Sequence, residues 1–185
     1  MSETSAPDGQ AKYQVRLDWG IAGAERIVRG AHVAVVVDVL PSPDGEVIAA
    51  ALAGRGVVVL EGSLRNRSAV ARRILDLQEE RGERLMVAIV AAGERTGSAD
   101  GEAVRFTVED QLGAGAVVDA LIALGIDHTS PEAAVACAAF EGLRHASVHL
   151  IGASASGAAL VAQGRRPEVR AATEVDASDE VPTVG

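Results

Sequence analysis

The chain has 185 residues, 48% of them hydrophobic but only 2% aromatic, with 17 Lys and Arg against 26 Asp and Glu for a formal net charge of −9. That length fits one domain with a core of its own, and so much apolar surface excludes disorder of the chain as a whole. The negative charge argues against nucleic acid or an anionic membrane as partner, since both call for a cationic face, and no apolar run in the chain is long enough to span a bilayer.

Residues 1–12 are polar and expected to be flexible, and they carry no basic-then-apolar signal-peptide pattern. Residues 13–19 alternate in character and read as a strand; residues 20–29 read as a short helix. The run Val33-Ala34-Val35-Val36-Val37 is the pattern of a central strand buried on both faces, and Asp38 follows at once. Pro41-Ser42-Pro43-Asp44-Gly45 has the composition of a turn, followed by a short helix over 46–53 and a second buried strand over 57–60. Asn66 or Ser68 can cap a helix that runs to Arg81 and stops at Gly82.

A third apolar strand is expected over 85–92, then a polar loop over 93–101, then a helix over 108–124. Ser130-Pro131-Glu132 is a strong helix start, and that helix should reach Leu143. Residues 147–151 read as a short strand, 156–163 as a helix ended by Gly164, and 177–185 as a loose tail. Strands alternating with helices predict an α/β fold in three layers, α/β/α, with a mainly parallel or mixed central sheet, as one domain over residues 13–176. With so few aromatics, its core must be Ala, Val, Leu and Ile packed closely between helices and sheet.

In open α/β sheets ligands bind outside the carboxyl ends of the strands. Four segments are read as following a strand directly: Asp38, residues 61–66, residues 92–95 and residues 152–157. A carboxylate such as Asp38, set straight after five apolar residues, must be hydrated, hydrogen-bonded or metal-bound. It is either a ligand for a hard cation or a catalytic group, or else a cap on a nearby turn. Glu109-Asp110 opens a helix, where the dipole alone favours acids. The small residues that follow, Gly113-Ala114-Gly115-Ala116, cost helix stability and call for close approach of another backbone or of a ligand. Arg65 and Asn66 at a helix start could hold an anion, or could be solvated surface. Ser154 and Ser156 could cradle an anion, or could simply cap.

Several chemistries are excluded by pattern. There is no P-loop, no Gly-x-Gly-x-x-Gly after a strand, no Cys-x-x-Cys and no Gly-x-Ser-x-Gly elbow. His32, His128, His145 and His149 lack metal-ligand spacing. The one cysteine, Cys137, lies in an Ala-rich stretch and reads as a small buried apolar residue. A reducing, cytoplasmic location is expected.

Taken in order, several segments resemble the 2-phosphosulpholactate phosphatase family. They are Val15-Arg16-Leu17-Asp18-Trp19-Gly20, Val35-Val36-Val37-Asp38-Val39-Leu40, Pro41-Ser42-Pro43-Asp44-Gly45, Gly62-Ser63-Leu64-Arg65-Asn66 with Ala69-Val70-Ala71, and Ala92-Gly93-Glu94-Arg95. The most specific is Val108-Glu109-Asp110-Gln111-Leu112-Gly113-Ala114-Gly115-Ala116; Ser156-Gly157 with Leu160, and Val181-Pro182, complete the set.

The resemblance implies Mg²⁺-dependent hydrolysis of a phosphate ester on a small anionic acid, giving sulpholactate and phosphate, by a homo-oligomer, most simply a dimer. Asp38, Glu109 and Asp110 become the expected catalytic and metal-binding carboxylates. Arg65, Asn66, Gly93, Glu94, Gly113, Gly115, Ser154 and Ser156 become the expected substrate contacts. The chain departs from the family pattern where Leu40 runs directly into Pro41: a polar loop, a helix and further sheet expected there are missing, and Asp44 replaces an Asn. A scaffold that binds a small anion or a protein partner without turnover is the alternative that this departure raises.

Overall fold

The structure, a computed structural model, describes residues 9–98 and 101–184. In chain order its elements begin β1 (Val15–Trp19), α1 (Gly20–Ile27), β2 (Val33–Val37), α2 (Pro43–Leu52), β3 (Val58–Gly62), α3 (Arg67–Arg81) and β4 (Val87–Ala91). A hairpin of β5 (Glu94–Ser98) and β6 (Gly101–Arg105) follows, then α4 (Val108–Ala123), α5 (Pro131–Leu143), α6 (Ser147–Ala153), α7 (Ala155–Ala162), α8 (Arg166–Ala172) and β7 (Thr183–Val184).

The main sheet has the order β1-β4-β2-β3-β7. Its first four strands are parallel and β7 is antiparallel to β3, so the sheet is mixed and mostly parallel. Val35 of β2 lies opposite Ile89 of β4 on one side and Leu60 of β3 on the other. Every residue of β2 is buried, as a continuous β-branched run requires of a strand covered on both faces. Val33, Val35 and Val37 pack into one core with α3, α4 and α5, while Ala34 and Val36 pack into a second with α1 and α2. That alternation is the period-two geometry of a strand, and it makes the three α/β/α layers expected from the sequence.

Helix α4 lies nearest the site and is packed hardest. A Cβ added at Gly115 would stand 2.0 Å from the Ala136 carbonyl oxygen of α5, and one at Gly113 would stand 2.4 Å from a Val39 methyl. The two mid-helix glycines therefore let α4 press against a neighbouring helix and against the exit of β2; they serve packing. Ser130 caps α5 by accepting from Ala133 N–H, and Gly82 ends α3 in the left-handed region at φ 65°, both as expected.

Other elements differ from expectation. Residues 147–151 form α6, not a strand, with Ser147 and Ile151 buried four apart on the inner face. Residues 94–98 and 101–105 form a hairpin where a loop was expected. Helix α2 starts at Pro43, so the expected turn over 41–45 is in fact Ser42 as N-cap residue and Pro at the first position.

Near the end of the chain, Asp176 accepts from Ser68 N–H at the start of α3 and from Arg67 Nε, and Glu61 N–H donates to the Pro182 carbonyl. Within the stretch expected to be loose, Ser178 N–H donates to the Arg65 carbonyl and residues 182–184 pair along β3, so these residues are tied to β3 and the start of α3. At the other end Gln10 is buried and exchanges two hydrogen bonds with Leu17, although it falls in the stretch expected to be flexible; residues 1–8 lie outside the described residues.

Candidate active site

Parallel order brings the exits of β2 and β4 side by side. Chain leaving β2 passes through Asp38 and Val39; chain leaving β4 passes through Ala92 and Gly93, which turns at φ +64°. Helix α4 begins beside both. Its first-turn acids point inward: Glu109 is 3% exposed and Asp110 2%. The helix dipole accounts for acids in a first turn, but not for their burial.

Asp110 ties the three segments together. Its Oδ1 accepts from Val39 N–H at 2.9 Å, and its Oδ2 accepts from Gly93 N–H at 2.9 Å and from Thr107 Oγ1 at 2.7 Å. Burial pushes its pKa up to about 7; the Val39 N–H pulls the other way, and the Asp38 and Glu109 charges push it up further. Asp38 accepts from Ser42 through both the backbone N–H (2.7 Å) and the hydroxyl (2.9 Å). Burial raises it to about 6 against those bonds, with Asp44 adding like-charge repulsion. Gly45 is needed here, since a Cβ at that position would stand 2.4 Å from Asp38 Oδ2.

Glu109 is different. Its Oε2 is buried and has no hydrogen-bond partner among the described residues. A buried carboxylate oxygen without a donor is costly, and such groups concentrate where an ion or a reaction is accommodated.

These three carboxylates line one cavity of about 570 Å³, together with Ser42, Asp44, Gly93, Glu94, Arg105, Thr107 and Ser156, closed on one side by Ala159 and Leu160 of α7. That volume suits a small molecule. Six residues expected at the site therefore meet there: Asp38, Glu109, Asp110, Gly93, Glu94 and Ser156. Ser156 arrives from the start of α7, which follows α6 where a strand was expected.

The remaining five lie elsewhere. Arg65 donates from Nη1 to the Ala171 carbonyl and pairs with Glu174. Asn66 braces the turn after β3, accepting from Ser63 N–H and donating to the Glu61 and Glu180 carbonyls. Ser154 caps α7 by accepting from Gly157 N–H. Gly113 and Gly115 serve packing, as above.

Sequence reasoning missed Ser42, Asp44, Arg105 and Thr107. Arg105 could have been found by asking which cation stands just ahead of a helix start bearing Glu-Asp. A larger hollow, about 1020 Å³ between α6, α7 and α8, is lined by Val148, Val161 and Val169 with Arg166 and Arg170, and contains none of these carboxylates. The three expected carboxylates line the smaller one.

Asp38, Glu109 and Asp110 also fit a cation by charge. Five carboxylates line the cavity (Asp38, Asp44, Glu94, Glu109, Asp110) against the one guanidinium of Arg105, and a hard, oxygen-bound ion such as Mg²⁺ suits that donor set. Among the described residues, three ligand atoms within 4.8 Å of one another occur at Asp119, Cys137 and Glu141 instead. There Asp119 already pairs with Arg67, and burial raises the Cys137 thiol to about 11, away from the thiolate a metal needs.

The raised carboxyls set a pH dependence. A folded-state pKa above the ordinary 3.8 means that folded protein holds protons the unfolded chain has released. Their stabilising contribution is complete below that value and is lost as pH rises through about 6 and about 7. Thermal unfolding without metal should show Tm falling by several degrees from about pH 5 to about pH 8, with a shallower fall in Asp38→Asn; equal slopes in the two proteins would remove Asp38 from the account.

The fold and this cavity define a three-layer α/β protein with an acidic, small-molecule-sized site at the carboxyl ends of its parallel strands. Residues 42–185, well over half of the chain, match the family model of 2-phosphosulpholactate phosphatase, and the chain belongs to that family. Comparison with curated proteins gives no match. No single helix among the described residues is long and apolar enough to cross a membrane.

Proposed function

We propose that this chain hydrolyses the phosphate ester of a small anionic acid, 2-phosphosulpholactate or a close relative, in the cavity between β2, β4 and α4, and that the reaction depends on Mg²⁺. The observation that carries the metal is the buried, partnerless Oε2 of Glu109 in a cavity with five carboxylates. An anionic ester entering such a cavity meets repulsion unless a cation offsets it. Glu109 is the proposed ligand, with Asp38 beside it. Bound there, Mg²⁺ supplies charge neutralisation and polarisation of a phosphoryl oxygen.

The protein's own groups have separate tasks. Asp110 positions the other two by fixing Val39 and Gly93 against α4. Asp38, held at the exit of β2 by the Ser42 N–H and hydroxyl, faces the same cavity and can hold or release a proton at a reacting oxygen. The Ser156 side chain lines the same cavity, and its hydroxyl offers a donor to the ester's oxygens. A cytoplasmic homodimer remains part of this reading, by family analogy.

One observation favours a second reading. Asp38, Glu109 and Asp110 do not bring three ligand atoms within 4.8 Å, and a family member with such an open set could bind an anion without turning it over. The two readings separate on phosphate release from 2-phosphosulpholactate with Mg²⁺ and with excess chelator. Turnover that stops with chelator is expected; a folded protein that binds sulpholactate yet releases no phosphate would establish the second reading.

A further inference from the structure

The phosphatase reading leaves open what recognises the acid portion of the substrate, and the inference here rests on that reading. Arg65 and Asn66, the expected anion contacts, are engaged far from the cavity. Among the described residues Arg105 is the only cationic side chain lining it.

The position of Arg105 is built in. It ends β6, directly opposite Glu94 in the hairpin register. Its neighbour Val104 sits in a seat formed by two glycines, both in the left-handed region: a Cβ at Gly20 or at Gly93 would stand 2.4 or 2.6 Å from a Val104 methyl, and one at Gly93 also 2.8 Å from the Arg105 carbonyl. The far strand is tied down separately, since Arg95 N–H donates to Asp44 Oδ2 at 3.0 Å and its guanidinium also pairs with Asp44. Arg105 is therefore held at the mouth from a fixed base.

Its partner is the second clue. Arg105 directs both Nε, at 3.1 Å, and Nη2 at one oxygen of Glu94, which lines the same cavity. A guanidinium edge occupied by a carboxylate is an edge that accepts carboxylate, sulfonate or phosphate in its place. The pair is part-exposed, so exchanging one anion for another there costs little.

We infer that Arg105 is the specificity-determining residue of this site: it binds the second anionic group of the substrate, carboxylate or sulfonate, and Glu94 holds that place until substrate displaces it. The substrate class is then a phosphate monoester carrying a second negative charge a few atoms away. Glu94, expected to contact substrate, serves instead as the placeholder.

Kinetics of the full chain with Mg²⁺ test this, comparing 2-phosphosulpholactate with glycerol 1-phosphate, which has no second anion. Arg105→Ala should raise KM for the sulphonated ester by about 10- to 100-fold, with kcat within a few-fold and a much smaller rise for glycerol phosphate. Arg105→Lys should fall between, because a point charge lacks the fork, and Glu94→Gln should lower KM by about 3-fold. An Arg105→Ala variant with an unchanged KM, or with the same rise for both esters, overturns the inference.

Calorimetry with sulpholactate separates this from failure of the phosphatase reading. Binding by the natural chain that is lost in Arg105→Ala supports Arg105 even if no ester is turned over. No binding by the natural chain, or equal binding by both, overturns it.

Discussion

Glu109→Gln should lower Mg²⁺-dependent phosphate release by about 10²- to 10³-fold, the size of the several kcal/mol a metal contributes to a charged transition state. Glu109 is only 3% exposed, and among the described residues its Oε2 has no donor and so no structural bond to lose. Its removal should therefore spare the fold. Glu109→Met goes further, replacing an unsatisfied polar group with an apolar one of similar length. In the metal-free protein that change should gain about 1 kcal/mol or more, about 2–4 °C in Tm. With Mg²⁺ the order reverses, because only the natural chain gains binding energy from the ion. A thermal shift series with and without Mg²⁺ reads both halves. A Glu109→Met variant less stable than the natural chain when both are metal-free would mean that Oε2 has a stabilising role after all.

The second large effect is on the scaffold. Gly115→Ala places one carbon 2.0 Å from the Ala136 carbonyl oxygen, 2.7 Å from its carbon and 3.0 Å from Phe140 Cβ. Two of these are backbone atoms in the middle of α5, so no rotamer change relieves the contact and α4 must move away from α5. Overpacking of this kind costs about 3 kcal/mol, which for a chain of this size lowers Tm by about 6–12 °C. At Gly113→Ala the nearest atoms are side-chain methyls of Val39 and Val37, which can give by turning, and the change should cost about 1 kcal/mol. The comparison checks itself: Ala is the better helix former at both positions, so any loss measures the packing. Gly115→Ala should also reduce activity, since Glu109 and Asp110 ride on the displaced helix; a Tm equal to that of the natural chain would show that α4 and α5 are not so close.

How far the sequence revealed this depended on how local the cause was. β2 was legible because five consecutive apolar residues at a strand period can only be covered on both faces. Ser130 and Gly82 were legible because caps act within a few residues. Residues 147–151 misled because five residues are too few to separate periods of 2 and 3.6. Their β-branched and His residues suit a strand, whereas the inner face of α6 is Ser147 and Ile151. The hairpin was hidden because what seats it is distant in sequence: Val104 lodges against Gly20 and Gly93. The tied-down tail was hidden for the same reason, since Ser178 N–H donates to the Arg65 carbonyl, more than a hundred residues earlier.

The site divides along the same line. Asp38 and Gly93 follow from the rule that strand exits make the edge, and Glu109 and Asp110 from a helix that starts beside that edge. Arg65 and Asn66 also follow a strand, β3, but there the chain turns to meet the C-terminal segments, and the anion-binding potential of that helix start is spent on Glu174, Asp176 and backbone carbonyls. No local pattern announces that. What remained was a lone cation, Arg105, whose part depends on a glycine seat made by residues 20 and 93.

The most direct test of the central claim is anomalous diffraction from crystals grown with Mn²⁺ in place of Mg²⁺ and soaked with phosphate. The account predicts a metal peak about 2.1–2.2 Å from a Glu109 carboxylate oxygen, inside the cavity lined by Asp38 and Asp110, with phosphate beside it. A peak at Asp119, Cys137 and Glu141 instead, or a cavity that stays without metal at saturating Mn²⁺, would contradict it.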